Sequence, residues 1–524
     1  MADAGAVLRA NWRAARSGLF TDLYELAMAR IYHREGLADR PATFDYFYRS
    51  NPDYGDHRAG CCVSAGIGPF VEWLRDLVVD ETQLAALGRL RDPAGRPLFE
   101  PSFLSWLGAP DRFRCLRIES VDEGRVVHPH EPIAVVEGPL AVAQLVETAL
   151  LNHLNYATLV ATKAARVVQA AGGGRVLEFG MRRGPGAGAN EGVRSALIAG
   201  CAATSNVEAA VALGGTPSGT HAHSLVQAYE ALGMGELEAF RAMAHAAPDG
   251  CVLLVDTIET LGSGVPNAIR VFEELRRDGH RPAGVRLDSG DLGLLAVHTA
   301  AALDEAGFTD VPIVLSGDLD ELEITRILDR VGEVAASLRL DSAAVRARLT
   351  YGVGTRMISS HGASALNGVY KLAAIDDGHG AWVPAIKLSE SRSKIPIPGP
   401  TDLWRLYDRR GLAVADLITL AGEQPFDDGP AMTLPLAAGD EEGPVTVERD
   451  AITRCERLRR TLLDGGVAAE SVGMSIDGPR ARCTADLGCL PAEVKDLVDP
   501  GRYAVALSAR LHAHRLEVIA AARR

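Results

Sequence analysis

The sequence predicts an α/β protein: a parallel sheet, either a barrel or doubly wound, with a mixed α/β domain built from segments on both sides of it. Three observations carry that prediction. The middle of the chain repeats a short apolar run, a polar or glycine-containing tip, and a stretch of helical periodicity. Most of these runs end in charged or small polar residues, as parallel strands do around a site at their C-terminal face. Strand-like segments also lie before and after the repeat.

Taken in order, the region before the repeat holds strand-like runs at Thr43 to Tyr48 and Pro132 to Val136. An Ala/Leu-rich helix follows from about Ala141 to Ala171, stopped by Gly172 to Gly174. The repeat supplies the runs Arg175 to Met181, Cys251 to Asp256, Gly284 to Asp288, Val311 to Ser316 and Leu349 to Val353. Between them lie helices such as Pro266 to Asp278, with proline near its start, and Asp291 to Ala306, closed by Gly307. The runs Gly368 to Ile375 and Trp382 to Leu388 are expected to rejoin the first region. The expected boundaries are 1–145 for the N-terminal mixed α/β domain, 146–365 for the barrel, 366–437 for the return, and 438–524 for a charged helical C-terminal segment.

Composition excludes several classes. The chain has 524 residues, more than one hydrophobic core usually spans. Lys and Arg total 54 against 68 Asp and Glu, a net charge of −14 with no basic runs, which argues against nucleic-acid binding. Glu137 and Glu147 interrupt the best apolar stretch, and Met1 to Gly18 lacks the apolar centre of a secretory signal. No membrane span and a cytoplasmic location are expected. Eight cysteines in so long a chain, Cys61 and Cys62 adjacent, do not form a disulfide framework, and Cys483 with Cys489 lacks a second pair for a metal site.

The polar tips carry the chemistry. They comprise Arg182 and Arg183; Thr220, His221 and His223; Asp256; Arg286, Asp288 and Asp291; Gly317 and Asp318; and Gly352, Gly354 and Thr355. Arginine forks bind carboxylate or phosphate bidentately, and backbone N–H groups at glycine turns donate to phosphate oxygens. Carboxylates suit ribose hydroxyls or a magnesium ion. The ring therefore suits a phosphorylated sugar beside a small anion. The glycines at 184, 186 and 188 have the wrong spacing for a dinucleotide fingerprint and read either as an anion-contacting loop or as a mobile turn.

Six ordered segments make the reading specific: TDLYELAMA at Thr21 to Ala29, EFGMRRGPGA at Glu178 to Ala187, GTHAHS at Gly219 to Ser224, GVRLDSGDL at Gly284 to Leu292, YGVGT at Tyr351 to Thr355 and GVYKLAA at Gly368 to Ala374. From about Leu19 to Arg405 the chain resembles the nicotinate phosphoribosyltransferases. The resemblance implies an irregular α/β barrel with a discontinuous mixed α/β domain, and a homodimer whose active sites lie between subunits. It also implies ATP-coupled synthesis of nicotinate mononucleotide from nicotinate and phosphoribosyl pyrophosphate with Mg2+, the first step of NAD salvage from nicotinic acid. By the same resemblance His223 is the histidine phosphorylated by ATP, and His221, at a variable position, carries no chemistry. Tyr24 stacks on the pyridine ring from the other subunit, while Arg182, Thr220 and Arg286 lie at the nicotinate. Asp288, Gly317, Gly354 and Thr355 lie at the phosphoribosyl group.

Nicotinamide-using relatives carry an aspartate where Ser205 stands here. A fixed carboxylate repels nicotinate whereas serine can donate to it, so the acid is the expected substrate. One departure stands out in the segment Lys387 to Asp408: Pro400 and Thr401 replace lysines of the family pattern, while Lys394 remains. Two alternatives stay open, a phosphoribosyltransferase for another pyridine base such as quinolinate, and a catalytically weakened homologue acting as a ligand-binding or oligomer partner.

Overall fold

The computed structural model describes residues 18–186, 188–387, 396–426, 431–437, 443–470 and 472–524. These divide into two compact units, one containing Lys163–His361 and the other containing residues 18–162 and Gly362–Arg524.

The first unit is built on a six-stranded parallel sheet. Its spatial order is Ala203–Thr204, Arg175–Glu178, Leu349–Val353, Ile313–Ser316, Gly284–Leu287 and Val252–Leu254. Ile313–Ser316 and Leu349–Val353 are buried along their whole length, because helices cover a parallel sheet and leave no strand face for polar alternation. The expected barrel is here an open, curled half-barrel: among the described residues each end strand has a single neighbour. Those end strands are two and three residues long, too short to supply the ladder bonds that closure needs.

The connecting helices start where side chains can satisfy their first N–H groups. Asn206 accepts from Ala209 N at 3.1 Å, Asp291 from Leu294 N at 3.0 Å, and Asp320 from Leu322 N and Glu323 N at 3.1 and 2.9 Å. At the start of Glu321–Leu338 the buried Glu321 carboxylate meets Lys163 Nζ at 2.7 Å and Arg166 Nε at 2.9 Å. Two cations on one buried acid limit the cost of taking these charges out of water.

The second unit is dominated by a seven-stranded sheet in the order Trp382–Pro384, Val369–Asp376, Pro41–Phe47, Ala134–Pro139, Arg117–Val121, Arg459–Asp464 and Val467–Ala468, antiparallel throughout. Pro41–Phe47 pairs directly with Val369–Asp376, so segments on either side of the half-barrel share one sheet. The Ala/Leu-rich stretch forms two helices, Leu140–Leu145 and Glu147–Ala170, separated at Val146.

The region beyond 438, expected to be helical, is a correction. It carries the strands Val445–Glu448, Ile452–Arg457, Arg459–Asp464, Val467–Ala468 and Ala504–Leu507 besides the helices Asp477–Cys489 and Ala509–Ala522. Its charges, which suggested helix surface, are partners across the sheets: Arg457 Nε lies 2.8 Å from Asp402, Arg460 Nε 2.7 Å from Asp122, and Glu456 2.6 Å from Arg125 Nη1. The buried Arg405 guanidinium is held by both Asp416 oxygens at 2.8 and 2.6 Å and by Asp486 at 3.0 Å.

No helix of the described residues is long and apolar enough to cross a membrane. All eight cysteines are free, and among the described residues no group of three or more His, Cys, Asp or Glu side chains is placed to hold a metal ion.

Candidate active site

The site sits at the C-terminal tips of the half-barrel and is organised by Arg286. Its strand, Gly284–Leu287, alternates so that Val285 and Leu287 are buried while Arg286 reaches the tip. The guanidinium donates from Nε to Ser316 Oγ at 2.8 Å, from Nη1 to Thr220 Oγ1 at 3.1 Å and from Nη2 to Asp288 Oδ1 at 2.7 Å. Three of its five N–H groups are thereby engaged among the described residues, leaving two for an anion. The ring of Phe179 lies beneath, its centroid 5.8 Å from the guanidinium carbon.

Asp288 is fixed by the same network. Ser316 Oγ donates to it as well as accepting from Arg286. Burial alone would raise its pKa, but the bonds from Ser316 and Arg286 outweigh that, and the carboxyl is held below the ordinary aspartate value. Gly317 follows with φ +105°, and a Cβ there would lie 2.2 Å from the Asp288 carbonyl oxygen, so the tip can close over Asp288 only with glycine.

His223 opens the helix His223–Ala231. Its Nε2 lies 3.2 Å from Oδ1 of Asp256, a carboxylate whose side chain is only 2 % exposed. The other oxygen of Asp256 accepts from Asp288 N at 3.0 Å and Ser289 Oγ at 2.6 Å. Asp256 therefore links the histidine turn to the turn that carries Asp288.

This arrangement of histidine, carboxylates and an arginine fork on parallel strand tips is accompanied by similarity along the chain. Residues 19–155 match the nicotinate phosphoribosyltransferase N-terminal domain and residues 401–515 its C-terminal domain. A Bacillus subtilis nicotinate phosphoribosyltransferase is 40 % identical over 411 residues, covering 78 % of this chain and 77 % of its own. The chain belongs to the nicotinate phosphoribosyltransferase family. A Mycobacterium tuberculosis nicotinate phosphoribosyltransferase is 35 % identical over 497 residues, 94 % of this chain and 92 % of that one. The crystal structure of human nicotinic acid phosphoribosyltransferase matches with a TM-score of 0.74 at 29 % identity, over 96 % of this chain and 100 % of that one.

The remaining candidates are distributed around this centre. Arg182 is exposed on the turn Met181–Arg183, after the strand Arg175–Glu178. Ser205 is exposed just beyond Ala203–Thr204, with its backbone N–H bonded to Glu178 O at 2.9 Å. Gly354 precedes the short helix that Thr355 begins, and a Cβ on it would meet Phe179 O at 3.0 Å. Hydrogen bonds tie Arg286, Thr220 and Asp288 together and connect His223 through Asp256. Among the described residues nothing comparable links Arg182, Ser205, Gly354 or Thr355 to that set.

Tyr24 belongs to the other unit, on the helix Leu23–Arg34, and is 48 % exposed rather than packed in a core. Thr401, where the family pattern has lysine, is buried at the start of Thr401–Asp408 and accepts from the buried Arg459, so it offers the surface no cation. Lys394 and Ala187 lie outside the described residues.

Two residues carry more than the sequence assigned them. Asp256 stood among the polar tips but without a role, and Ser316 ended an apolar run as an unremarked hydroxyl. An acidic residue closing a parallel strand is the one signal that could have promoted Asp256.

Proposed function

We propose that this enzyme makes nicotinate mononucleotide and pyrophosphate from nicotinate and phosphoribosyl pyrophosphate, driven by ATP, as the first step of NAD salvage from nicotinic acid. The single observation that carries this reading is the Asp256–His223 pair beside the Arg286–Asp288 pair on one set of strand tips.

The carboxylate of Asp256 assigns the proton of neutral His223 to Nε2, leaving the lone pair on Nδ1. Nδ1 attacks the γ-phosphorus of ATP, an N–P bond forms, the P–O bond breaks and ADP departs. The phosphorylated imidazole adds negative charge and acceptor oxygens that order the site for synthesis, and water later releases the phosphate. In the synthetic step the pyridine nitrogen bonds to C1 of the ribose as the bond to pyrophosphate breaks. Positive charge grows on the sugar, so no protein nucleophile is needed and positioning with electrostatic stabilisation dominates.

Arg286 and Thr220, together with Arg182, hold the nicotinate carboxylate, and Ser205 favours the acid over the amide. Asp288 receives ribose hydroxyls, while Gly317, Gly354 and Thr355 receive phosphate. Asp288 would hold a magnesium ion together with substrate phosphates, and the ion would offset the charge of the departing pyrophosphate. The exposed Tyr24 serves the partner's site in a homodimer, and the enzyme works in the cytoplasm.

The test is purified protein assayed for pyrophosphate release with nicotinate, nicotinamide and quinolinate, each with and without ATP. ATP-stimulated turnover with a strong preference for nicotinate over the other two bases is expected. Preference for quinolinate, or turnover of no pyridine base, would overturn the reading in favour of another base or a ligand-binding homologue.

A further inference from the structure

The open edge of the half-barrel holds a contact that the motif does not explain. Val252–Leu254 is an end strand. On its inner side Cys251 O accepts from Ala283 N at 3.0 Å and Val255 N donates to Arg286 O at 3.1 Å. Leu254 N–H, one residue out of step, points to the edge where, among the described residues, no further strand follows. It donates to Nε2 of His221 at 3.0 Å. The imidazole stands where a seventh strand would supply a carbonyl.

The tautomer is defined by its surroundings. Nδ1 of His221 lies 3.2 Å from Ala222 O and donates to it, so Nε2 is the acceptor, and the ring is neutral. Burial, with the neighbouring Arg286 charge, pushes the His221 pKa down and favours that form. Phe240 packs against the ring at 6.1 Å between centroids.

We infer that His221 is a positioning residue for His223. The segments 220–223 and 254–256 are joined at two successive points, Leu254 N–H to His221 and His223 to Asp256. Thr220, one residue earlier, is tied to Arg286. Removing the first point frees the turn to move along the strand edge and draws His223 away from Asp256. This rests on His223 being the phosphorylated residue.

The experiment compares wild type, His221→Phe, which keeps a ring against Phe240 without an acceptor, and His221→Gln, whose side-chain oxygen reaches the place of Nε2. Each is measured for phosphate on His223 after ATP, for ATP-stimulated nicotinate turnover, and for amide exchange in peptides covering 252–256. His221→Phe should exchange faster at that edge and lose about three- to tenfold in phosphorylation rate, the range of one lost hydrogen bond, at unchanged melting temperature. His221→Gln should recover most of both. Normal phosphorylation in His221→Phe overturns the inference, as does a His221→Gln variant that stays folded and recovers neither. If wild type takes no phosphate on His223, the phosphohistidine reading fails by itself, and unchanged edge exchange in His221→Phe then removes the structural contact as well.

Discussion

Nε2 of His223 lies 3.2 Å from the nearly inaccessible Oδ1 of Asp256, and the second Asp256 oxygen is already taken by the Asp288 backbone and Ser289. Asp256 is thus fixed before the histidine reacts. Asp256→Asn should lower ATP-dependent phosphorylation by about ten- to a hundredfold, the worth of a charge-assisted bond. His223→Ala should abolish ATP stimulation while leaving ATP-independent synthesis. Radiolabel transfer from ATP checks both, and full labelling of His223→Ala would exclude this histidine.

Arg286→Lys should raise the nicotinate requirement by about ten- to a hundredfold, because an ammonium cannot reproduce the planar fork. Nicotinamide should suffer much less. Ser316→Ala serves as the control for damage to the Arg286–Asp288 network, since Ser316 touches both residues. Equal losses for acid and amide in Arg286→Lys would place the carboxylate elsewhere.

Ser205→Asp should weaken nicotinate use and improve nicotinamide use, through repulsion of the carboxylate and a new acceptor for the amide. Ser205 is exposed, so the charge is accommodated without refolding. The ratio of kcat/KM for the two bases is the readout, and an unchanged ratio removes Ser205 from base recognition.

Mixing Tyr24→Ala chains with His223→Ala chains should restore ATP-stimulated activity in heterodimers, one intact site per dimer. Verified heterodimers without recovery would show that Tyr24 does not serve the partner's site.

Glu25, next to Tyr24, is buried, and burial raises its pKa from 4.5 to about 7 despite a 2.7 Å bond from Gln144. The folded state therefore binds a proton that the unfolded chain releases near pH 4.5. The associated stability is present in full below that pH and is lost as pH rises through 7, at most about 3 kcal/mol. Glu25→Gln should flatten the decline of Tm between pH 5 and 8. An identical decline in the variant would assign it to another group.

The strands that build the site were legible because their apolar runs are short and punctuated: Leu349–Val353 matches its run, and Val252–Leu254 lies inside the run Cys251 to Asp256. Ala203–Thr204 was not, since two residues carry no periodicity. The pairing of His223 with Asp256, 33 residues away, depends on which strand tips lie side by side. His221 was set aside as a variable position, yet its partner is a backbone N–H, which leaves no mark in a sequence. The charged C-terminal region misled because cross-strand ion pairs and a solvated helix face have the same composition.

The pairing of Pro41–Phe47 with Val369–Asp376 also sets a timetable for biosynthesis. On the ribosome the earlier strand waits for a partner roughly 320 residues away, about 16 to 64 s at 5–20 residues per second. Through that interval its edge toward Val369–Asp376 has no native neighbour, while residues 163–361 emerge as one uninterrupted run and can collapse first. Nascent chains stalled before residue 369 should accordingly be the ones that chaperones hold and proteases cut near the N-terminal strand.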